Sequence, residues 1–254
     1  MASLPPNAHI STHPCLKAKL SQLRSKDTNT RETKSLIHEI ATIVGCEALA
    51  SVLSTEDAGT DESPIGYSYN KTTISPSNIS VVPILRSGLG MVDAIQSILP
   101  DPVPVHHLGL YREKTTLNPV EYYNNLPFHR TPSSTSSSPS SSPRPISDLA
   151  IIVDPMIATG ATACAAIDSL SDWGVKRILL ICVLASEEGL GRACLQGRLN
   201  GMGGGEGGNG GGGNGGGVDV QVWAGGCDGG TDAKGMIKPG LGDVGDRLFL
   251  TVGK

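Results

Sequence analysis

Five stretches of the chain are dense in β-branched and aliphatic residues: 79–85, 103–110, 149–153, 177–185 and 218–223. Their length and continuity predict strands buried on both faces. Between them the apolar spacing changes to that of a helix. Leu36, Ile37, Ile40, Ile43 and Val44 share one helical face, as do Met91, Val92, Ala94, Ile95 and Ile98 over about 89–98. Ala163, Ala166, Ile167, Leu170 and Trp173 make a third such face, with Gly174 as its C-terminal stop. Strands alternating with helices predict an α/β fold. Its central, mostly parallel sheet has right-handed crossovers and helices on both faces. Ligands of such sheets bind at the carboxyl ends of the strands, where Arg86, Arg112 and Asp154 fall.

Two blocks break the pattern. Of 33 glycines, 13 lie in residues 201–217, and Thr131 to Pro145 is almost entirely Ser, Pro and Thr. Both have too little apolar surface to offset the entropy of ordering them, so both are expected to be flexible insertions. Phosphorylation of the first-occurring block or partner binding by the second are alternatives to neutral insertion. Without them about 220 residues remain, which suits one domain spanning 1–254.

Composition narrows the class. A formal net charge of −4 supplies no basic field for nucleic acid or anionic membrane. No run of about 18 purely apolar residues suggests a membrane span, and Met1–Asn7 lacks the regions of a signal peptide. Cys15, Cys46, Cys164, Cys182, Cys194 and Cys227 follow no metal-ligand spacing. They read as reduced thiols of a cytoplasmic protein, with a regulatory disulfide as the alternative.

Three segments carry candidate chemistry. The run Ile151-Ile152-Val153 ends on Asp154 and turns through Ala158-Thr159-Gly160 into a helix. A helix N-terminus with Thr159 and Thr162 hydroxyls makes a phosphate cradle, and Asp154 would face the sugar bearing that phosphate. In Val81–Gly90 a strand delivers Arg86, a planar fork of donors for phosphate oxygens, into a turn opened by Gly88 and Gly90. In Met236–Asp246 dense Gly and Pro force an irregular path whose free amides and carbonyls could read a flat polar ring. Each segment alone also fits an ordinary strand-turn-helix or surface turn.

In this order and at these separations, the three segments resemble uracil phosphoribosyltransferases of the type I phosphoribosyltransferase superfamily. The matching stretches run from His13-Pro14 to about Leu53, Val81 to Pro127, Leu149 to Glu188, and Val218 to the end. The Asp-Pro-Met-Ile-Ala-Thr-Gly loop suggests the superfamily, with Pro155 where most members carry a second acid. Pro239-Gly240-Leu241-Gly242-Asp243-Val244-Gly245-Asp246 is the strongest marker of the uracil branch.

The resemblance implies a central sheet with a β-hairpin hood at Tyr111–Pro127, and pyrimidine salvage as the role. Phosphoribosyl would pass from 5-phosphoribosyl 1-diphosphate to uracil N1, giving UMP. Arg86, Arg112, Asp154 and Asp243 would be catalytic. The phosphoribosyl substrate would lie on Arg86, Arg112, Asp154, Pro155, Met156, Ile157, Ala158, Thr159, Gly160, Ala161, Thr162 and Asp243. Uracil would be read by main chain at Ile237, Gly242, Asp243 and Val244. Mg²⁺ would be held mainly by the diphosphate, with Asp243 as a further contact. A homo-oligomer and, in some members, GTP activation are also implied.

Tyr122 and Tyr123 are expected to pack in the hairpin, and His106 and His107, inside a strand, to be packed or exposed rather than basic catalysts. Ser87 stands where the family turn has Ala, Thr231-Asp232 where Leu-Asn is common, and Lys238 where an apolar residue is usual. An insertion just before a core strand would disable the uracil loop if it displaced that strand. A non-catalytic nucleotide-binding regulator on the same fold is the alternative function. A transferase for another base is a second alternative, which the C-terminal loop argues against.

Overall fold

The computed structural model describes residues 4–113, 118–127, 147–202 and 217–251. The Ser/Pro block and nearly all of the Gly-rich block lie outside the described residues. In chain order the first half comprises β1 (Ala8–Ile10), α1 (Pro14–Arg24), α2 (Thr30–Val52), β2 (Ser54–Glu62), β3 (Ser68–Ser75), β4 (Ile79–Leu85), α3 (Leu89–Ile98), β5 (Leu108–Arg112) and β6 (Pro119–Asn124). The second half comprises β7 (Leu149–Val153), β8 (Met156–Ile157), α4 (Ala161–Asp172), β9 (Arg177–Cys182), β10 (Leu184–Ser186), α5 (Glu187–Met202), β11 (Asp219–Ala224), β12 (Cys227–Asp228), β13 (Gly230–Thr231), β14 (Ile237–Lys238) and α6 (Val244–Phe249).

The main sheet has the order β1-β11-β9-β7-β4-β5-β6. Every pairing in it is parallel except β5 with β6, which forms the hairpin at one edge. Alternation along each strand divides the core in two. Val81, Ile151, Val153, Leu179 and Ile181 face α1, α2 and α3, whereas Val82, Ile84, Ile152, Ile178 and Leu180 face α4 and α5.

Three central strands then continue past their ends. β8, β10 and β12 re-pair in the same lateral order as β7, β9 and β11, forming a small parallel sheet. The bend is fixed at Pro155, whose carbonyl accepts N–H groups from both Val183 and Leu184. This second layer lays the loop after Asp154 across the carboxyl end of the main sheet.

Several elements differ from the sequence expectation, each for a physical reason. The strand expected at 103–110 runs only over Leu108–Arg112. Pro102 and Pro104 have no N–H, and Val105 makes only an isolated bridge to Val81. The strand expected at 177–185 breaks at Val183, where the pairing passes to the small sheet. The core strand after the Gly-rich block is not displaced, since β11 lies between β1 and β9.

The hairpin of β2 and β3 escaped the pattern because it projects with all of β2 exposed, leaving no buried face to read. α5 holds four glycines and was not expected to be helical; Gly189 lets it approach Ala158 and Gly197 lets it approach Val220, where Cβ atoms would collide. By length and mean hydropathy alone (1.4 in its most apolar window), α2 could cross a membrane. Glu39 and Glu47 interrupt that run, and its buried face packs instead on α1, α3 and the sheet. Asn29 and Glu32 close its N-terminus as a reciprocal capping box.

Candidate active site

Asp154 follows β7 and is 9 % exposed. The Ser87 hydroxyl donates to its Oδ1 at 3.0 Å, and the Met156 N–H donates to the same carboxylate. Burial pushes this carboxyl up to about 7, and the two hydrogen bonds pull against that rise. Ser87 reaches it because the turn after β4 packs directly on the end of β7. A Cβ on Gly88 would collide with the Val153 carbonyl oxygen, so only glycine fits there.

Beyond Asp154 the chain forms a loop at the start of α4. Gly160 is left-handed (φ 78°), and a Cβ there would lie 2.7 Å from the Gly189 carbonyl oxygen. The loop is tied from behind by its carbonyls. Ser186 Oγ donates to Ala158 O at 2.5 Å and accepts the Gly189 N–H, while Arg192 Nη1 donates to Thr159 O at 2.8 Å. The first turn of α4 keeps its N–H groups, the positive end of its dipole, for whatever lies in front.

The opposite wall is the segment 235–245, and beyond the two-residue pairing of β14 with β13 it is held by side chains. Arg24, at the end of α1, donates to both carboxylate oxygens of Asp228 at 2.7 and 2.8 Å and to Gly240 O at 3.0 Å. Asp228 Oδ2 accepts the Gly240 N–H in return, at 3.0 Å. Arg247 donates to Leu241 O at 2.9 Å, to Leu23 O at 2.7 Å and to Ser25 O at 3.2 Å. Asp243 caps α6, its Oδ1 accepting the Asp246 N–H at 3.0 Å.

The two walls enclose one cavity of about 190 Å³, lined by Ser87, Asp154, Met156–Gly160, Thr162 and Ala163 on one side. Gly235–Ile237 and Gly242–Gly245 line it on the other. Of the residues named from sequence, Asp154, Met156, Ile157, Ala158, Thr159, Gly160, Thr162, Ile237, Gly242, Asp243 and Val244 therefore meet around it. Pro155 and Ala161 do not line it; Pro155 is buried in the bend between the sheets.

Arg86 lies at the rim, half exposed, with its guanidinium 3.9 Å from Asp246 Oδ1 and donating to Thr251 Oγ1 at 3.3 Å. Arg112 ends β5, and its side chain lies outside the described part of the structure. Tyr122 packs on Tyr111, ring centroids 6.0 Å apart, and with Tyr123 it closes over Gly109. His106 sits edge-on to Trp173 at 5.2 Å, and burial lowers its pKa. Neither it nor His107 lines the cavity.

Sequence reasoning did not find the Arg24–Asp228 clamp, Arg247, Ser186 or Arg192. They act on backbone carbonyls from remote positions, and no local spacing announces that. Ser87 was legible only as a departure from the family turn.

A buried carboxylate and a glycine-turned helix start at one strand end, faced by a main-chain loop across a shared cavity, are the arrangement of a phosphoribosyltransferase. A solved Aquifex aeolicus protein has the same architecture, with a TM-score of 0.75, 25% identity, and coverage of 97% of this chain and 100% of that one. The family model described as uracil phosphoribosyltransferase matches residues 10–198 and 216–251, and the chain belongs to that family. The uracil phosphoribosyltransferase of Listeria innocua is 36% identical over 96% of this chain and 99% of its own length. That of Finegoldia magna is 38% identical over 95% of this chain and 97% of its own.

Proposed function

We propose that this cavity joins uracil N1 to C1′ of 5-phosphoribosyl 1-diphosphate, yielding UMP and diphosphate in pyrimidine salvage. The observation that carries the reading is that Asp154, the loop at 158–162 and the segment at 242–244 line one cavity. As the C1′–O bond breaks, its electron pair leaves with diphosphate and positive charge develops on the ribose. The N1 lone pair closes the new bond, and the N1 proton is lost to solvent or to leaving-group oxygen.

Each residue follows from that charge flow. Ionised Asp154 holds ribose hydroxyls and offsets the developing charge. The amides of 158–162, with the Thr159 and Thr162 hydroxyls, take the 5-phosphate. Arg86 at the rim, and Arg112, supply cations beside the diphosphate. The main chain of Ile237, Gly242, Asp243 and Val244 offers donors and acceptors to the uracil ring. The β5–β6 hairpin, as a hood, would exclude water from the charged sugar.

Among the described residues no group of three acidic, His or Cys side chains is arranged to hold a metal. An ion carried in on the diphosphate fits better, with the exposed carboxylate of Asp243 as its protein contact. Mg²⁺ bound there would neutralise the departing diphosphate.

None of the six cysteines is in a disulfide, and the setting proposed for the enzyme is cytoplasmic. A homo-oligomer is supported by the projecting β2–β3 hairpin, which leaves Ile65 79 % and Tyr67 71 % exposed.

The test is product formation by the purified chain with 5-phosphoribosyl 1-diphosphate, Mg²⁺ and a panel of bases. UMP from uracil alone is expected. UMP binding without product from any base would instead favour the regulator, and adding GTP tests the effector role.

A further inference from the structure

We infer that Ser87 is a positioning residue for phosphoribosyl transfer, its hydroxyl fastening the Asp154 carboxylate to the turn after β4 in the orientation that meets the ribose. The inference rests on the reaction proposed above. Ser87 follows β4, whereas Asp154 follows the neighbouring strand β7, so the bond couples the two turns that flank the cavity. Ser87 itself lines that cavity beside Asp154. The close packing at Gly88 leaves the Ser87 backbone little room to move, so the hydroxyl is delivered from a rigid base.

The carboxylate has little other support. Its further donor is the Met156 N–H. At the end of β9, the thiol of Cys182 is driven well above its ordinary pKa by burial and by the charge of Asp154, so it remains neutral. Across the cavity stands Asp243, a like charge. Arg86, adjacent to Ser87 in the chain, is directed to Asp246 rather than to Asp154. No cation pairs with Asp154 among the ion pairs of the described residues. The neutral Ser87 hydroxyl, together with the Met156 N–H, therefore favours the ionised carboxylate over the protonated one.

The bond has two consequences for the reaction. It holds the carboxylate plane at one rotation, which orients the carboxylate towards the cavity. It also keeps the ionised form accessible near neutral pH, because donation to a carboxylate favours charge. Removing it should raise the pH at which the site becomes competent and lower productive binding of the phosphoribosyl substrate.

The experiment is the pH dependence of kcat/KM for 5-phosphoribosyl 1-diphosphate in the full chain, for wild type, Ser87→Ala and Ser87→Thr. Thermal unfolding is followed alongside. UMP formation by wild type tests the underlying reaction separately, so failure there is distinguishable from failure of the role of Ser87. Expected for Ser87→Ala is an acid limb shifted to higher pH and kcat/KM lower by about tenfold below neutrality, with little change in uracil KM. Ser87→Thr, which keeps the hydroxyl, should return the limb towards the wild-type position. A Ser87→Ala profile that superimposes on wild type would overturn the inference. So would a uniform loss at all pH values that tracks a lowered unfolding temperature and that Ser87→Thr does not repair.

Discussion

The two walls of the cavity are built by different means. The wall proposed for the phosphate grows out of the main sheet: β7 ends, Asp154 follows, and β8 is re-paired beside β10 before α4 begins. The wall proposed for the base has only the two-residue pairing of β13 with β14, and its position comes largely from Arg24, Asp228 and Arg247. One wall is positioned by backbone ladders, the other by a few charged side chains that reach across more than 200 residues of sequence. A substitution should therefore damage one wall without the other, and the damage should differ in kind.

The largest effect is expected at Asp154. Asp154→Asn preserves shape but removes the charge proposed to oppose the ribose and replaces one acceptor oxygen with an NH2 donor. Its kcat should fall on the order of a hundredfold or more, with the fold retained. The same variant has a pH signature. In the folded chain the carboxyl titrates at about 7, above its ordinary 3.8. The fold thus favours the protonated form. The stability this contributes is complete below about 3.8 and is lost as pH rises through 7, while the ionised form that activity needs appears over that upper range. Unfolding temperature should decline between pH 6 and 8 in wild type more than in Asp154→Asn, and thermal melts at those two pH values measure the difference.

Arg24→Ala should come next. It leaves Asp228, which is 9 % exposed, without its partner and frees the Gly240 carbonyl. A stability loss of about 2 kcal/mol is expected, reduced from the fully buried case because Arg24 is partly solvated. The kinetic mark should be uracil KM raised roughly tenfold with the phosphoribosyl KM nearly unchanged. Equal rises in both would break the division into two walls.

Arg192→Ala is the converse and smaller probe. It removes one bond behind the Thr159 carbonyl, worth about 1 kcal/mol, and should raise the phosphoribosyl KM several-fold while sparing uracil. Smallest of all, Lys238→Ala should change stability by less than about 0.5 kcal/mol, since Lys238 is exposed and its side chain holds neither wall.

The same contrast explains what could be read from the sequence. The apolar runs at 79–85 and 149–153 match β4 and β7, and the spacing at 89–98 matches α3, because burial on both faces leaves a dense signal. Asp154 and the loop after it were legible as a strand end meeting a helix start. The β2–β3 hairpin was not, because an exposed ribbon has no apolar face, and neither was β1, whose three residues are too few to show a period. Arg24 and Asp228 are unremarkable in their own neighbourhoods. Only the folded topology brings the end of α1 to the loop at Gly240, and long-range side-chain bonds leave no local trace.

The most direct test of two walls sharing one ligand is a crystal structure of the chain with UMP. The 5′-phosphate should lie against the amides of 158–162, the ribose hydroxyls against Asp154, and the pyrimidine against the main chain of Ile237 and Gly242–Val244. Nucleotide bound with its phosphate and its base on surfaces outside this cavity would contradict the account.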